Sequence, residues 1–208
     1  MGKQQKNKGF KLTKRITGLF LTALLLVSLY STAVFATSYS TGDREINLSF
    51  PNTYRKQIQA CSYNGKTVYF NAEGFYSSYR LYNFSYNKVY LVRYRTMAQS
   101  GEYGKWVKKY VVFSSSLNKS LVNNKRIVKV KTPKIKNVKY YNVYTSTSSN
   151  SGFKKAKAKV KPGKSVTIKK VHGSSLIRYK NYYVKLVPVL KNGKKATPII
   201  DGFYIYTK

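Results

Sequence analysis

Phe84-Ser-Tyr-Asn-Lys-Val-Tyr90, continued as Tyr90-Leu-Val-Arg-Tyr-Arg95, has a counterpart in Leu176-Ile-Arg-Tyr-Lys-Asn-Tyr182, continued as Tyr182-Tyr-Val-Lys-Leu-Val187. Both copies place a tyrosine six residues after a large apolar residue, at the head of a strand that alternates. Side chains on a strand point to opposite faces in turn, so placing one residue places the rest. With Tyr90, Val92 and Tyr94 inside, Leu91, Arg93 and Arg95 face out. In the second copy Tyr182, Val184 and Leu186 face in, and Tyr183, Lys185 and Val187 face out. The charges fall on the outward set both times, which supports two tandem β units.

Outward from the first copy, residues 46–50 alternate and stop at Pro51-Asn52. Residues 57–62 and 66–70 flank Asn64-Gly65, a strong hairpin signal. Ser78–Leu81 precedes the corner, and a loop over 98–104 leads to a strand over 106–113. The second copy follows the same order. Residues 126–131 meet Pro133, residues 140–146 follow, and a lysine-rich strand over 153–161 ends at Pro162-Gly163. Residues 165–171 lead to the second corner, and Asn192-Gly193 turns the chain before a strand over 203–206. Short strands punctuated by turns indicate a sandwich.

Cys61 is the sole cysteine, so packing rather than an internal disulfide must hold these strands together. The chain has 21 Tyr and 10 Phe, the rings that strands favour. No stretch after residue 36 shows helical periodicity. The expected fold is all-β: two tandem immunoglobulin-like sandwiches after an N-terminal signal-peptide helix. The expected divisions are 1–36 for the signal, 44–113 for the first module, 114–123 for a polar linker and 124–208 for the second module.

The leader carries Lys3, Lys6, Lys8, Lys11, Lys14 and Arg15, then an apolar stretch over 16–36 that ends in small residues at Ala33 and Ala36. That pattern predicts a secretory signal cleaved after Ala36. An uncleaved signal anchor is the competing reading, because the apolar stretch is long enough to span a bilayer. Thr17, Thr22, Ser28, Ser31 and Thr32 weigh against it. In length the leader resembles those of Gram-positive bacteria. The expected location is secreted or at the extracellular surface, with a membrane contact only through the signal segment.

From 46 to 113 and again from 126 to 206, the residues resemble the bacterial fibronectin type III family. The resemblance rests on the early strand over 46–50, with Phe50 in the place of a core aromatic, on Ser62 and Ser146 closing the third strand, and on the corners Phe84/Tyr90 and Leu176/Tyr182. It implies tandem, divergent fibronectin type III-like sandwiches that bind or space rather than catalyse. Two departures stand: Lys131 replaces the aromatic in the second module, and neither module shows a clear first strand.

Charge separates the modules. The leader's six basic residues leave +29 of the chain's +35. Residues 37–118 hold 11 basic and 4 acidic residues, whereas residues 119–208 hold 23 basic and 1 acidic. Solubility asks a small domain for a net charge of magnitude about 2–8. The first module fits that range at +7 and the second, at +22, lies far outside it. Such a field concentrates polyanions.

The densest stretch holds Lys154, Lys155, Lys157, Lys159 and Lys161, followed by Lys164. Strict alternation would put Lys155, Lys157, Lys159 and Lys161 on one face and Ala156, Ala158 and Val160 on the other. These lysines guard an edge strand against pairing, or they hold an anionic cell-wall or extracellular polymer such as teichoic acid. Lysine is a hydrated point charge, so such attachment would be salt-sensitive and loosely selective.

Other candidates carry less. Tyr63, Tyr86 and Tyr103 could stack on sugars or bases, but strand packing accounts for most tyrosines here. Arg93 and Arg95 flank Tyr94, whose ring the alternation buries, so no specific nucleic-acid surface is expected. Trp106 is expected in the core. Acid–base chemistry needs paired carboxylates, and the chain holds only Asp43, Glu45, Glu73, Glu102 and Asp201. His172 stands alone beside Gly173, and Cys61 has no base near it in sequence. No metal-ligand spacing or phosphate loop is present, so no cofactor and no catalytic residue is expected. The alternatives to polymer binding are a cationic toxin-like or antimicrobial effector acting on membranes and a passive envelope spacer.

Overall fold

A computed structural model describes residues 36–40, 44–50, 54–122 and 125–206, with side chains described from residue 44 onward. The expected leader lies outside the described residues apart from Ala36, and so does the expected turn at Pro51-Asn52.

The first module contains β1 (Ala36–Ser40), β2 (Glu45–Ser49), β3 (Arg55–Ser62), β4 (Val68–Phe75), β5 (Ser78–Leu81), β6 (Lys88–Thr96) and β7 (Val107–Phe113). They form two antiparallel sheets, ordered β1-β2-β5 and β4-β3-β6-β7. Ile46 and Leu48 from the first sheet meet Ile58, Ala60, Tyr90, Val92 and Tyr94 from the second, closed at one end by Phe84 and Phe113.

The second module contains β8 (Asn118–Val122), β9 (Lys125–Lys131), β10 (Val138–Ser146), β11 (Lys154–Val160), β12 (Ser165–Ile168), the short pair β13 (Lys170–Val171) and β14 (Ser174–Ser175), β15 (Asn181–Leu190) and β16 (Ile199–Tyr204). Its sheets are β12-β9-β8 and β11-β10-β15-β16. With the short β13–β14 pair set aside, the order repeats that of the first module: first, second and fifth strands in one layer, fourth, third, sixth and seventh in the other. Val128 and Val130 pack there against Tyr141, Val143, Tyr182, Val184 and Leu186.

Each corner tyrosine is locked in the same way. Tyr90 Oη accepts a hydrogen bond from the Ser85 amide at 2.8 Å, and Tyr182 Oη accepts one from the Ile177 amide at 2.9 Å. Phe84 and Leu176, six residues earlier, are buried. The six-residue spacing brings the hydroxyl back to the amide that follows the apolar residue. It thereby satisfies a donor in a segment outside the ladder.

The inward set is as expected: Tyr90, Val92 and Tyr94 are buried, as are Tyr182, Val184 and Leu186. Leu91 is the exception among the outward residues. It is buried, because Gly65 of the Asn64-Gly65 turn lies over its side chain and Tyr110 pairs beside it. The positive φ of Gly65, 75°, lets that turn fold down onto Leu91.

Two further differences concern segments. Residues 118–122 fell within the expected linker, yet they form β8, the second module's first strand, paired with β9. In the first module β1 pairs with β2 outside the expected start at 44. These strands were not legible because they carry little apolar alternation and are held by their neighbours' ladders.

The modules are fused rather than strung. Val89, Val112 and Leu117 belong to the second module's hydrophobic cluster. Thr197 Oγ1 accepts the Val112 amide at 3.0 Å, the Thr197 amide donates to the Tyr110 carbonyl at 3.0 Å, and Asp201 Oδ2 accepts the Leu117 amide at 2.8 Å. Asn192 adds two bonds, from its amide to Tyr63 Oη at 3.2 Å and from Nδ2 to Tyr110 Oη at 2.9 Å.

Candidate polymer-binding surface

Lys154, Lys155, Lys157 and Lys159 lie on β11, an edge strand, while Lys161 and Lys164 bracket its closing turn; all six are exposed. That turn is tied to β9's end through Thr132, whose Oγ1 donates to the carbonyls of Lys161 and Lys164, both at 2.9 Å. The aliphatic stem of Lys134 crosses Gly163, where a Cβ would come within 2.7 Å of it. Lys134, Lys161 and Lys164 therefore converge on one turn.

The expected single-face ladder does not form. Tyr141 pairs with Val160, Val143 with Lys157 and Tyr144 with Lys155, so β11 carries an extra residue at each of two register shifts. Cross-strand partners share a face. Lys155 therefore lies on the Tyr144 side and Lys157 on the Val143 side. Lys159 has a φ of 52°, and its amide donates to Asn142 Oδ1 at 3.3 Å. Ala156 and Ala158, expected on the face opposite the lysines, are exposed as the lysines are. Bulges flip side chains across the strand and fan the lysines around the edge.

On the outer face, Tyr144 is flanked in register by Lys155 and Lys185. Lys185 Nζ sits 4.2 Å from the Phe153 ring centre and 5.5 Å from that of Tyr144. This lysine–aromatic row was missed in the sequence because its members come from three segments. The module's sole acid, Asp201, is on β16, at the opposite edge of the same sheet. It is engaged by Lys119 Nζ at 2.7 Å and by the Leu117 amide. Among the described residues none of the six lysines is in an ion pair.

The first module's outer face is built differently. Arg93 and Arg95 project from β6, and their Nε groups donate to Gln59 Oε1 at 2.7 Å and Gln57 Oε1 at 2.8 Å. Trp106 is not in the core. Its ring lies 4.7 Å from the Arg93 guanidinium and 4.6 Å from that of Arg95, while the Tyr103 ring lies 4.4 Å from Arg95 on the other contact. Trp106 precedes β7 at the point where the loop returns to the sheet, so alternation could not place it. The Tyr103 hydroxyl is shut off from solvent with no hydrogen-bond partner among the described residues. Burial first, then the neighbouring Glu73 carboxylate, pushes its phenol up.

The remaining candidates occupy quiet positions. Cys61 is free and buried, and burial pushes its thiol up, against a smaller opposing pull from Arg93. His172 is exposed in the turn with Gly173, its Nε2 lying 3.3 Å from the Thr145 carbonyl oxygen. Tyr63 packs against Tyr110 at the junction and Tyr86 is exposed. Glu45 accepts Arg80 Nε at 2.8 Å, and Glu73 pairs with Arg55 at 2.9 Å. Among the described residues no group of three acidic, histidine or cysteine side chains could hold a metal, and no helix is long and apolar enough to cross a membrane.

The repeated strand order and the two locked corners settle the fold type. Both modules are two-sheet antiparallel β-sandwiches of one strand order. Among solved structures, the tandem is similar to a two-domain fibronectin type III segment of chicken tenascin, at 14% identity over 83% of this chain and 98% of that one, with a TM-score of 0.33. It is also similar to the FN1–FN3 domains of chicken CNTN1, at 9% identity over 77% of this chain and 62% of that one, with a TM-score of 0.30. No family model and no curated protein matches this chain.

Proposed function

We propose that this fibronectin type III-like tandem is a non-catalytic binding protein, exported behind its basic and apolar leader, that attaches through its second module to anionic wall or extracellular polymers. The observation that carries the reading is charge without counter-charge. Residues 119–208 hold 23 basic residues and 1 acidic one, and that acid is occupied by Lys119 and Leu117 at the sheet edge farthest from the lysine strand. An exposed cationic edge of this kind draws a polyanion by long-range attraction and holds it by many weak contacts. Guarding β11 against strand pairing needs a few lysines and a bulge. It does not need lysines extending to the Pro162-Gly163 turn, nor the flanking row of Tyr144 and Lys185.

Lysine attachment of this type is screened by salt. Retention of the full chain on immobilised anionic wall polymer should fall steeply between low and molar salt. Replacing Lys154, Lys155, Lys157, Lys159, Lys161 and Lys164 by glutamine should flatten that dependence and weaken retention at low salt. Retention that ignores molar salt would refute the reading. Dye release from anionic vesicles by the folded chain would favour a membrane-active effector instead.

A further inference from the structure

We infer that the outer face of the β4-β3-β6-β7 sheet is a second, arginine-based site for oxyanions, suited to a phosphodiester-linked polymer. It lies on the module whose net charge is ordinary, so bulk attraction does not account for it. What distinguishes it is preorganisation. Gln59 and Gln57 pass the restraint on Arg93 and Arg95 to Asn71, whose Oδ1 accepts their Nε2 groups at 3.0 and 3.3 Å. A hydrogen-bonded relay thus runs across β6, β3 and β4 and fixes both guanidiniums. Trp106 and Tyr103 hold them from the side by cation–π contacts.

The relay also sets how a ligand can approach. Guanidinium forks grip carboxylates and phosphates alike through two parallel N–H groups. Glutamine already occupies Nε of both arginines, so the side-on fork is used and the end-on Nη pair is what each arginine presents; ligand choice then rests on charge spacing. Arg93 and Arg95 stand two residues apart on one strand face, a separation of about 7 Å. An extended polyol-phosphate chain repeats its charges on that scale. The ligand class follows from the polymer-binding reading above; the site itself rests only on the arginine geometry.

Trp106 is the chain's only tryptophan and touches both guanidiniums, so its fluorescence reports on this face alone. The full chain is titrated with a glycerol-phosphate oligomer and with polyglutamate of equal charge. A saturable Trp106 change with the phosphodiester, stronger than with polyglutamate, is expected. Changing Arg93 and Arg95 together to lysine keeps the charge and should weaken that titration about tenfold. Glutamine at Lys154, Lys155 and Lys157 should leave the Trp106 amplitude intact. Polymer retention with no Trp106 response, or an unchanged double-lysine variant, would overturn the arginine site and leave the second-module reading standing. An equal response to polyglutamate would overturn the phosphodiester assignment. Absence of any retention would overturn both readings.

Discussion

Asp201→Ala tests whether the junction makes one folding unit out of two modules. The carboxylate accepts the Leu117 amide at 2.8 Å through Oδ2 and holds Lys119 Nζ at 2.7 Å through Oδ1. It therefore pins β8, and the segment entering it, to β16. The ion pair is partly sheltered, with both side chains at 23% exposure. A hydrogen bond to a charged acceptor contributes about 1.5–3 kcal/mol. The partly exposed ion pair adds at most about 1 kcal/mol. Lys119 keeps its bond to the Gly202 carbonyl, at 2.6 Å, which limits the loss on that side. The expected cost is therefore about 2–3 kcal/mol.

If Val89, Val112 and Leu117 bind the modules into one cooperative unit, that cost is spread over the whole tandem. A unit of this size loses about 2–4 °C per kcal/mol, so Tm should drop by about 5–10 °C. The urea midpoint should fall by about 1 M. Two probes decide the outcome: Trp106 fluorescence reports on the first module only, and near-ultraviolet circular dichroism reports on tyrosines in both. Both transitions should shift together, although Asp201 belongs to the second module. A Trp106 transition that stays in place while the dichroism splits would refute the fused unit. A shift below about 0.5 kcal/mol would refute the weight given to the carboxylate.

The corners give a paired prediction. Tyr90→Phe and Tyr182→Phe each strip the acceptor from one amide, Ser85 or Ile177, and each should cost about 1–2 kcal/mol in urea denaturation. Unequal costs differing by more than this range would mean that the two corners are not equivalent. Alkali gives a third prediction. Tyr141 is fully buried, its hydroxyl donates to the Pro133 carbonyl at 3.1 Å, and burial raises its ionisation well above the unfolded value of 10.0. The unfolded chain then releases that proton first. Stability should be intact below pH 10 and fall above it, and Tyr141→Phe should make the fall shallower. A variant whose denaturation midpoint declines just as steeply between pH 10 and 11 would exclude Tyr141 as the cause.

Period-two alternation and the six-residue corner spacing are local properties, which is why the inward faces of β6 and β15 could be read directly. Features supplied by another segment could not. β8 is polar and becomes a strand through β9, Leu91 is buried by a turn, and Trp106 is set by where a loop rejoins the sheet. Lys56 gives a further case: its position looks ordinary in sequence, yet it is buried, its Nζ donates to the Tyr54 carbonyl at 2.7 Å, and burial lowers its ionisation. The lysine stretch was legible as charge but not as geometry. Nothing in Ala156 or Ala158 announces a bulge, and two bulges were enough to undo the single-face ladder.

The same topology presents two different cationic surfaces. Lysines on β11 are exposed and spread around an edge, whereas Arg93 and Arg95 are clamped by glutamine and aromatic neighbours on a flat face. The first arrangement loses side-chain entropy when it grips a ligand; much of the second is already ordered. A flexible linker would let the two surfaces search independently. The bonds that Thr197 and Asn192 make to Val112, Tyr110 and Tyr63 across the junction instead fix their separation. One polymer that engages both would then gain by effective concentration, and only if its length spans that fixed distance. Chain-length dependence of binding should therefore show a threshold in the native tandem. Asp201→Ala should blunt that threshold if it loosens the junction while both surfaces keep their charge.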